Sequence, residues 1–194
     1  LHLRDTFFIK SNNPIVKIDT SKIVFIDKDT IRVKYSNYIS KKENKIGFIF
    51  EKNQKERYQL KAFPGSYTDI YDVQNDTLNY NFKTIELEDY GRITIRILNK
   101  DSKNLIIDLL SGKENDEIIE RRYIAASETL VFNLLEPKTY KVRAIIDDNN
   151  NNKWDTGNYL LKIQPEKVIY FEEELKVRAN YFLEGNIFTV KSKE

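Results

Sequence analysis

The sequence predicts an all-β protein made of two consecutive β-sandwich domains. Three observations carry that expectation. Short stretches of alternating apolar and polar residues recur along the chain, the signature of strands with one buried face. Clusters of Pro, Gly, Asn and Asp separate them at short, regular spacing, as in sandwiches rather than βαβ units. No helical periodicity stands out beyond a single turn near Tyr67–Tyr71.

The elements follow in order. Ile23-Val24-Phe25-Ile26 is apolar on both faces, which predicts a central strand. Ile31, Val33 and Tyr35 alternate with Thr30, Arg32 and Lys34. Ile46, Phe48 and Phe50 repeat the pattern, as do Tyr58, Leu60 and Ala62, then Leu78, Tyr80 and Phe82. Phe63-Pro64-Gly65-Ser66 and Asn75-Asp76 break these runs. After acidic residues at Glu86–Asp89, Gly91 opens a new series in which Ile93, Ile95 and Ile97 oppose Arg92, Thr94 and Arg96. Leu130, Phe132 and Leu134 come next, and Glu136-Pro137-Lys138 breaks the run. Tyr140, Val142, Ala144 and Ile146 follow, then Leu175, Val177, Ala179 and Tyr181. The expected domains are therefore 1–88 and 89–194, each near the ~100 residues of an Ig-like sandwich.

Composition excludes several chemistries. The chain has no cysteine, so disulfides, thiolate metal sites and cysteine nucleophiles are out. Its one histidine, His2, stands beside the first residue, a poor place for the packed imidazole of a serine or zinc hydrolase. Basic and acidic residues number 32 and 30, with no basic block, so nucleic acid is not an expected partner. No apolar run reaches the ~20 residues of a membrane-spanning helix. The chain lacks methionine even at position 1, which predicts a piece of a larger parent.

One loop carries a specific signal. Counted from Asp147, oxygen-bearing side chains fall at positions 1, 3, 5 and 9 of an EF-hand-type loop: Asp147, Asn149, Asn151 and Asp155. Lys153 at position 7 could give its carbonyl, and Asn158 stands at position 12. Hard oxygen donors at alternate positions let a tight loop wrap a calcium ion. Asn152 replaces the usual glycine at position 6, and position 12 lacks the bidentate glutamate, so the expected Ca2+ is weakly held and structural. The competing reading is a metal-free turn whose asparagines bond their own backbone. Trp154, the single tryptophan, is expected to anchor the loop base.

The stretch Tyr140–Tyr159, with Ile163-Gln-Pro-Glu-Lys-Val-Ile-Tyr-Phe and Val177-Arg-Ala-Asn-Tyr, resembles the C-terminal module of Bacteroidota Ig-like-domain lipoproteins. Ala62-Phe-Pro-Gly-Ser-Tyr-Thr-Asp-Ile-Tyr, Asn75-Asp-Thr-Leu and Asp89-Tyr-Gly extend the match upstream. The resemblance implies an Ig-like domain of the bacterial surface-protein type followed by a prealbumin- or carboxypeptidase-regulatory-like sandwich. It also implies an outer-membrane lipoprotein whose lipid anchor lies outside this chain. The family pattern Asp-x-Asn-Gly-Asn-Gly-Lys-Trp-Asp has asparagine here at both glycine positions, Asn150 and Asn152, which stiffens the loop. Ala179-Asn180-Tyr181 stands where the family has Ala-Asn-Trp. No catalytic residue is carried over.

The expected function is a non-enzymatic structural or interaction module of the cell envelope, scaffolding or binding a partner protein at the outer membrane, on its periplasmic or surface side. The alternative is a glycan-binding accessory module, with Tyr67, Tyr71 and Tyr159 as stacking faces. The carboxylate runs Glu172–Glu174 and Asp147-Asp148 read as solvated loops rather than a hydrolase pair. Lys141, Arg143, Lys176 and Arg178 read as a sheet face whose stems cover apolar surface while their heads stay in water.

Overall fold

A computed structural model describes residues 1–112 and 116–191. The last three residues of the expected second domain lie outside the described residues. The described chain is all-β, with two short 3-10 turns as its only helical segments. It divides into two compact units, Leu1–Glu86 and Leu87–Glu194, against the sequence-based boundary at 88/89.

The first unit contains strands β1 (Phe7–Lys10), β2 (Ile15–Ile18), β3 (Ile23–Asp27), β4 (Tyr35–Ser40), β5 (Lys45–Phe50), β6 (Arg57–Ala62), β7 (Tyr67–Asp69) and β8 (Leu78–Lys83). They form two three-stranded antiparallel sheets, β1-β5-β4 and β3-β6-β8, and the pair β2-β7. The alternation of β5 and β6 turns Ile46, Phe48, Phe50, Tyr58, Leu60 and Ala62 into one core with Phe25. Phe25 meets Phe50 edge-on, with ring centroids 4.7 Å apart, the geometry that aromatic quadrupoles favour.

The second unit contains β9 (Gly91–Asn99), β10 (Leu105–Ser111), β11 (Glu117–Ile124), β12 (Glu128–Leu135), β13 (Thr139–Ile146), β14 (Val168–Tyr170), β15 (Leu175–Lys176) and β16 (Phe182–Val190). One sheet runs β11-β10-β13-β14, with β15 also on β13; the other runs β12-β9-β16, and β16 pairs with β9 in parallel. Ile93, Ile95 and Ile97 of β9, Leu105, Ile107 and Leu109 of β10, and Val142, Ala144 and Ile146 of β13 face one shared core around Phe132. Gly91 is obligatory by packing. A Cβ there would stand 2.3 Å from Val177 Cγ1 and 2.6 Å from the Arg178 carbonyl oxygen. Tyr140 donates its buried hydroxyl to the carbonyl of Glu136, four residues upstream, and burial pushes its ionisation up to about 12. This ties the Glu136-Pro137 corner to the start of β13.

Several expectations need correction. The apolar run in β3 lies at a sheet edge with β6 in the centre, and Val24 is only half-buried. The alternation at residues 30–35 forms no strand beyond the bridge from Arg32 to Ile26, and β4 starts where it ends. Leu134 takes φ +50° at a bulge, so Leu135 enters the core in its place. The last run stops early: Leu175 and Val177 are buried, whereas Ala179 and Tyr181 are exposed outside any strand. The expected turn at Tyr67–Tyr71 begins as β7, which puts Tyr67 in the core.

Candidate functional site

β13 carries its alternation through Ile146 into the asparagine-rich loop. Asp147 follows in a buried position, and its own N–H donates to the Asn104 carbonyl. Its Oδ1 accepts from the Asn151 N–H at 3.1 Å and its Oδ2 from the Asn152 N–H at 2.8 Å. Asn149 Oδ1 accepts from the Asn151 N–H, and Asn151 Oδ1 from the Lys153 N–H. Both asparagines turn their amide nitrogens onto Asp155 Oδ2, Asn151 at 2.8 Å. Asn150 and Asn152 adopt φ of +57° and +61°, the left-handed region that asparagine tolerates better than most residues.

The structure thus gathers Asp147, Asn149, Asn151 and Asp155 into one hydrogen-bonded loop. Lys153 donates its backbone N–H there, and Asn158 belongs to the next turn, where it pairs with Ile163. Glu166 is the residue sequence reasoning missed. Its carboxylate accepts from the N–H of Asp148 and the N–H of Asp155, fastening both ends of the loop. Trp154 donates its indole N–H to the Glu166 carbonyl at 3.1 Å, so it anchors the loop base while remaining half-exposed. Nothing in the sequence spacing marks Glu166, because it reaches the loop from beyond an intervening hairpin. Among the described residues, no group of three or more His, Cys, Asp or Glu side chains could hold a metal ion. Any ion here would draw half of its side-chain oxygens from asparagine.

A second polar cluster crosses the β11-β10-β13-β14 sheet. Asp108 is fully buried in β10, directly opposite Arg121 of β11 on one side and Arg143 of β13 on the other. Arg121 makes two bonds to its carboxylate, at 2.6 and 2.9 Å, and Arg143 adds Nε and Nη2 contacts at 2.9 Å. The hydrogen bond to Asp108 is the main cause that holds the Arg121 guanidinium above its ordinary value. Arg143 therefore does not keep its head in water, as the sequence suggested. One carboxylate between two arginines is a cross-strand clamp.

In the first unit, Asp69 ends β7 and shapes the loop after it. Its Oδ1 accepts from the N–H groups of Tyr71 and Val73, both at 2.9 Å, and its Oδ2 from Asn13 Nδ2 at 2.7 Å. The bond from Asn13, opposed by burial and helped by the two backbone N–H groups, holds this carboxyl below the usual carboxylate range. The loop so closed presents Ile70, Tyr71 and Val73 to solvent, with Tyr71 69% exposed. Tyr67 is a core residue whose hydroxyl finds no hydrogen-bond partner among the described residues. It offers no stacking face, which leaves Tyr71 and Tyr159 of the three tyrosines considered.

Two of the depressions among the described residues exceed 500 Å³ and could receive a small ligand. One, of about 550 Å³, opens over β3, β6 and β8 with Asp27 as its single carboxylate, whose Oδ1 already accepts from the N–H groups of Asp29 and Ile31. The other, of about 560 Å³, is lined among the described residues by Ser111, Thr139, Lys138, Lys141 and one carboxylate, Glu174. Among the described residues, neither pairs two carboxylates as a glycosidase does.

No protein-family model and no curated protein matches the chain. Among solved structures, it is similar to native alpha-2-macroglobulin from Escherichia coli, in a crystal structure spanning domains MG0-NIE-MG1. The identity is 9% and the TM-score 0.38, over 86% of this chain and 70% of that one.

Proposed function

We propose that the chain is a non-enzymatic structural and interaction module of a cell-envelope protein, held at the outer membrane by a lipid anchor outside this chain. The observation that carries the reading is the loop after β7. Ile70, Tyr71 and Val73 stand in solvent on a backbone fixed by the Asp69 and Asn13 bonds. A rigid loop that displays an aromatic and two aliphatic side chains loses little entropy on docking, and tyrosine is enriched among the residues that dominate protein interfaces. An envelope protein is the partner proposed for it.

Partner addition along a strand edge is less suited to β11. Its Glu120 and Arg122 lie opposite the core-facing Leu109 and Ile107 and pair with each other. Charges pointing inward on an edge strand disfavour pairing with another chain. Docking through the loop tip avoids that obstacle.

The test is affinity purification from detergent-extracted membranes of the source cells. The wild-type chain should recover a discrete envelope protein, and the Ile70→Asp/Tyr71→Ala variant should recover at least about tenfold less, since one interface hot spot is worth ~2 kcal/mol or more. Equal recovery by both, or none by either, would remove the reading.

The asparagine-rich loop is proposed to take Ca2+ weakly, through Asp147, Asn149, Asn151 and Asp155. Support comes from the convergence of four oxygen-bearing side chains in one loop closed at its base by Glu166. Affinity in the ~0.1–1 mM range of extracellular modules would add ~1.5–3 kcal/mol at about 10 mM calcium. The melting temperature of the second unit should then rise by several degrees. A melting temperature indifferent to calcium would leave the loop as a metal-free turn.

A further inference from the structure

Past the asparagine-rich loop, the chain makes a hairpin that buries almost nothing. Asn158 and Ile163 exchange both backbone hydrogen bonds at 2.9 Å and enclose Tyr159, Leu160, Leu161 and Lys162. Lys162 takes φ +53° to close the turn, and Asn158 Oδ1 accepts from the Leu161 N–H at 3.1 Å. Gly157 sits at the base with φ +76°, where a Cβ would stand 2.7 Å from the Ile163 carbonyl oxygen. The hairpin is thus a defined shape, and its apex is apolar. Tyr159 is 95% exposed, Leu160 89%, Leu161 68% and Ile163 57%. Soluble surfaces tolerate single exposed aliphatic residues, but four large ones on one turn mark a contact site.

We propose that this tip inserts into the interface of a lipid bilayer that carries anionic headgroups. Four features favour a bilayer over a protein groove. First, the tip is convex, and a fluid apolar layer moulds around it without a matching pocket. Second, the N–H groups of Leu161, Lys162 and Ile163 are already bonded within the turn, so these three donors do not depend on water. Third, the aliphatic residues occupy the apex, while Trp154 with its half-exposed indole lies behind them, the order in which apolar and amphipathic side chains enter a membrane interface. Fourth, the charge is complementary. The carboxylates of Asp155 and Glu166 point into the asparagine-rich loop, whereas Lys162 is exposed on the turn itself and Lys153 is exposed in the loop behind it. This contact uses other side chains than the proposed protein partner, in the other unit, so either can fail alone.

Trp154 is the single tryptophan of the chain and reports directly on this contact. The full chain is mixed with vesicles of phosphatidylcholine alone, or of phosphatidylcholine and phosphatidylglycerol in equal parts, and tryptophan emission and co-sedimentation are followed. The expected result is a blue shift and co-sedimentation with the anionic vesicles, weaker with neutral ones and weaker in high salt. Leu160→Asp/Leu161→Asp should reduce partitioning at least about tenfold, because two leucine side chains no longer leave water. Ile187→Asp, at an exposed position on β16, should bind as the wild type does. No blue shift and no co-sedimentation with either vesicle would overturn the proposal, as would undiminished binding by the double variant. Capture of a protein through the tip without vesicle binding would also overturn it in favour of a protein groove.

Discussion

Replacing Asp108 with alanine is expected to cost the second unit about 3 kcal/mol and to lower its melting temperature by more than about ten degrees. The cause lies less in the lost bonds than in what remains. Arg121 and Arg143 approach Asp108 from both neighbouring strands, with side chains only 28% and 22% exposed. Without the carboxylate, two like charges face each other across β10 with little water to separate them. The size of the loss is at the lower end for buried ion pairs, because both guanidinium groups keep some solvent. Removing all three charges at once should behave differently. Asp108→Leu/Arg121→Met/Arg143→Met is expected to recover most of the stability, since buried ion clusters exchanged for apolar side chains of similar volume are often neutral. Thermal melts followed by circular dichroism decide between them. An Asp108→Ala variant within about 1 kcal/mol of wild type would show that the clamp is dispensable.

Phe132→Ala should remove about 3–5 kcal/mol from the same unit. Phe132 is fully buried in β12 opposite Ile93, where both sheets close on one core. Truncation loses the transfer free energy of the ring and leaves a cavity that the surrounding strands cannot fill without breaking their ladders. Phe132→Leu should fall well short of that loss. Val131→Ala, one residue earlier and 40% exposed on the opposite face, should change stability by less than about 0.5 kcal/mol. Denaturant unfolding gives the order directly. Equal effects at 131 and 132 would mean that the face assignment of β12 is wrong.

Legibility in the sequence followed the number of buried faces. β6 and β9 bury one face each, and β5 and β13 do so except at Gly47 and Ile145, so their apolar residues alternate and could be read directly. β10 escaped because Leu105–Leu110 is buried on both sides, and Asp108 inside it looks like a break rather than half of a clamp. β16 escaped for another reason. A bulge between Leu183 and Asn186 switches the inward face, so Leu183 packs on the core at one parity and Phe188 and Val190 at the other. The same effect at Leu134 displaced one core residue by a position. In the asparagine-rich loop, Asp147, Asn149, Asn151 and Asp155 were visible by spacing, since the side chains bond within a few residues. Glu166 was not, because the hairpin at 158–163 separates it from the loop in sequence while its carboxylate binds both loop ends. The display of Ile70, Tyr71 and Val73 depends on the Asn13 contact to Asp69, and a link of 56 positions leaves no local trace.

The claim that the chain works by presenting a rigid loop to an envelope protein is tested most directly by crosslinking from that loop. A photoreactive residue is placed at Tyr71, and a control at Ser36, exposed on β4 of the same unit. Irradiation in membranes of the source cells should give one discrete adduct with an envelope protein from position 71 and none from position 36. Adducts from neither position, or the same adducts from both, would contradict it.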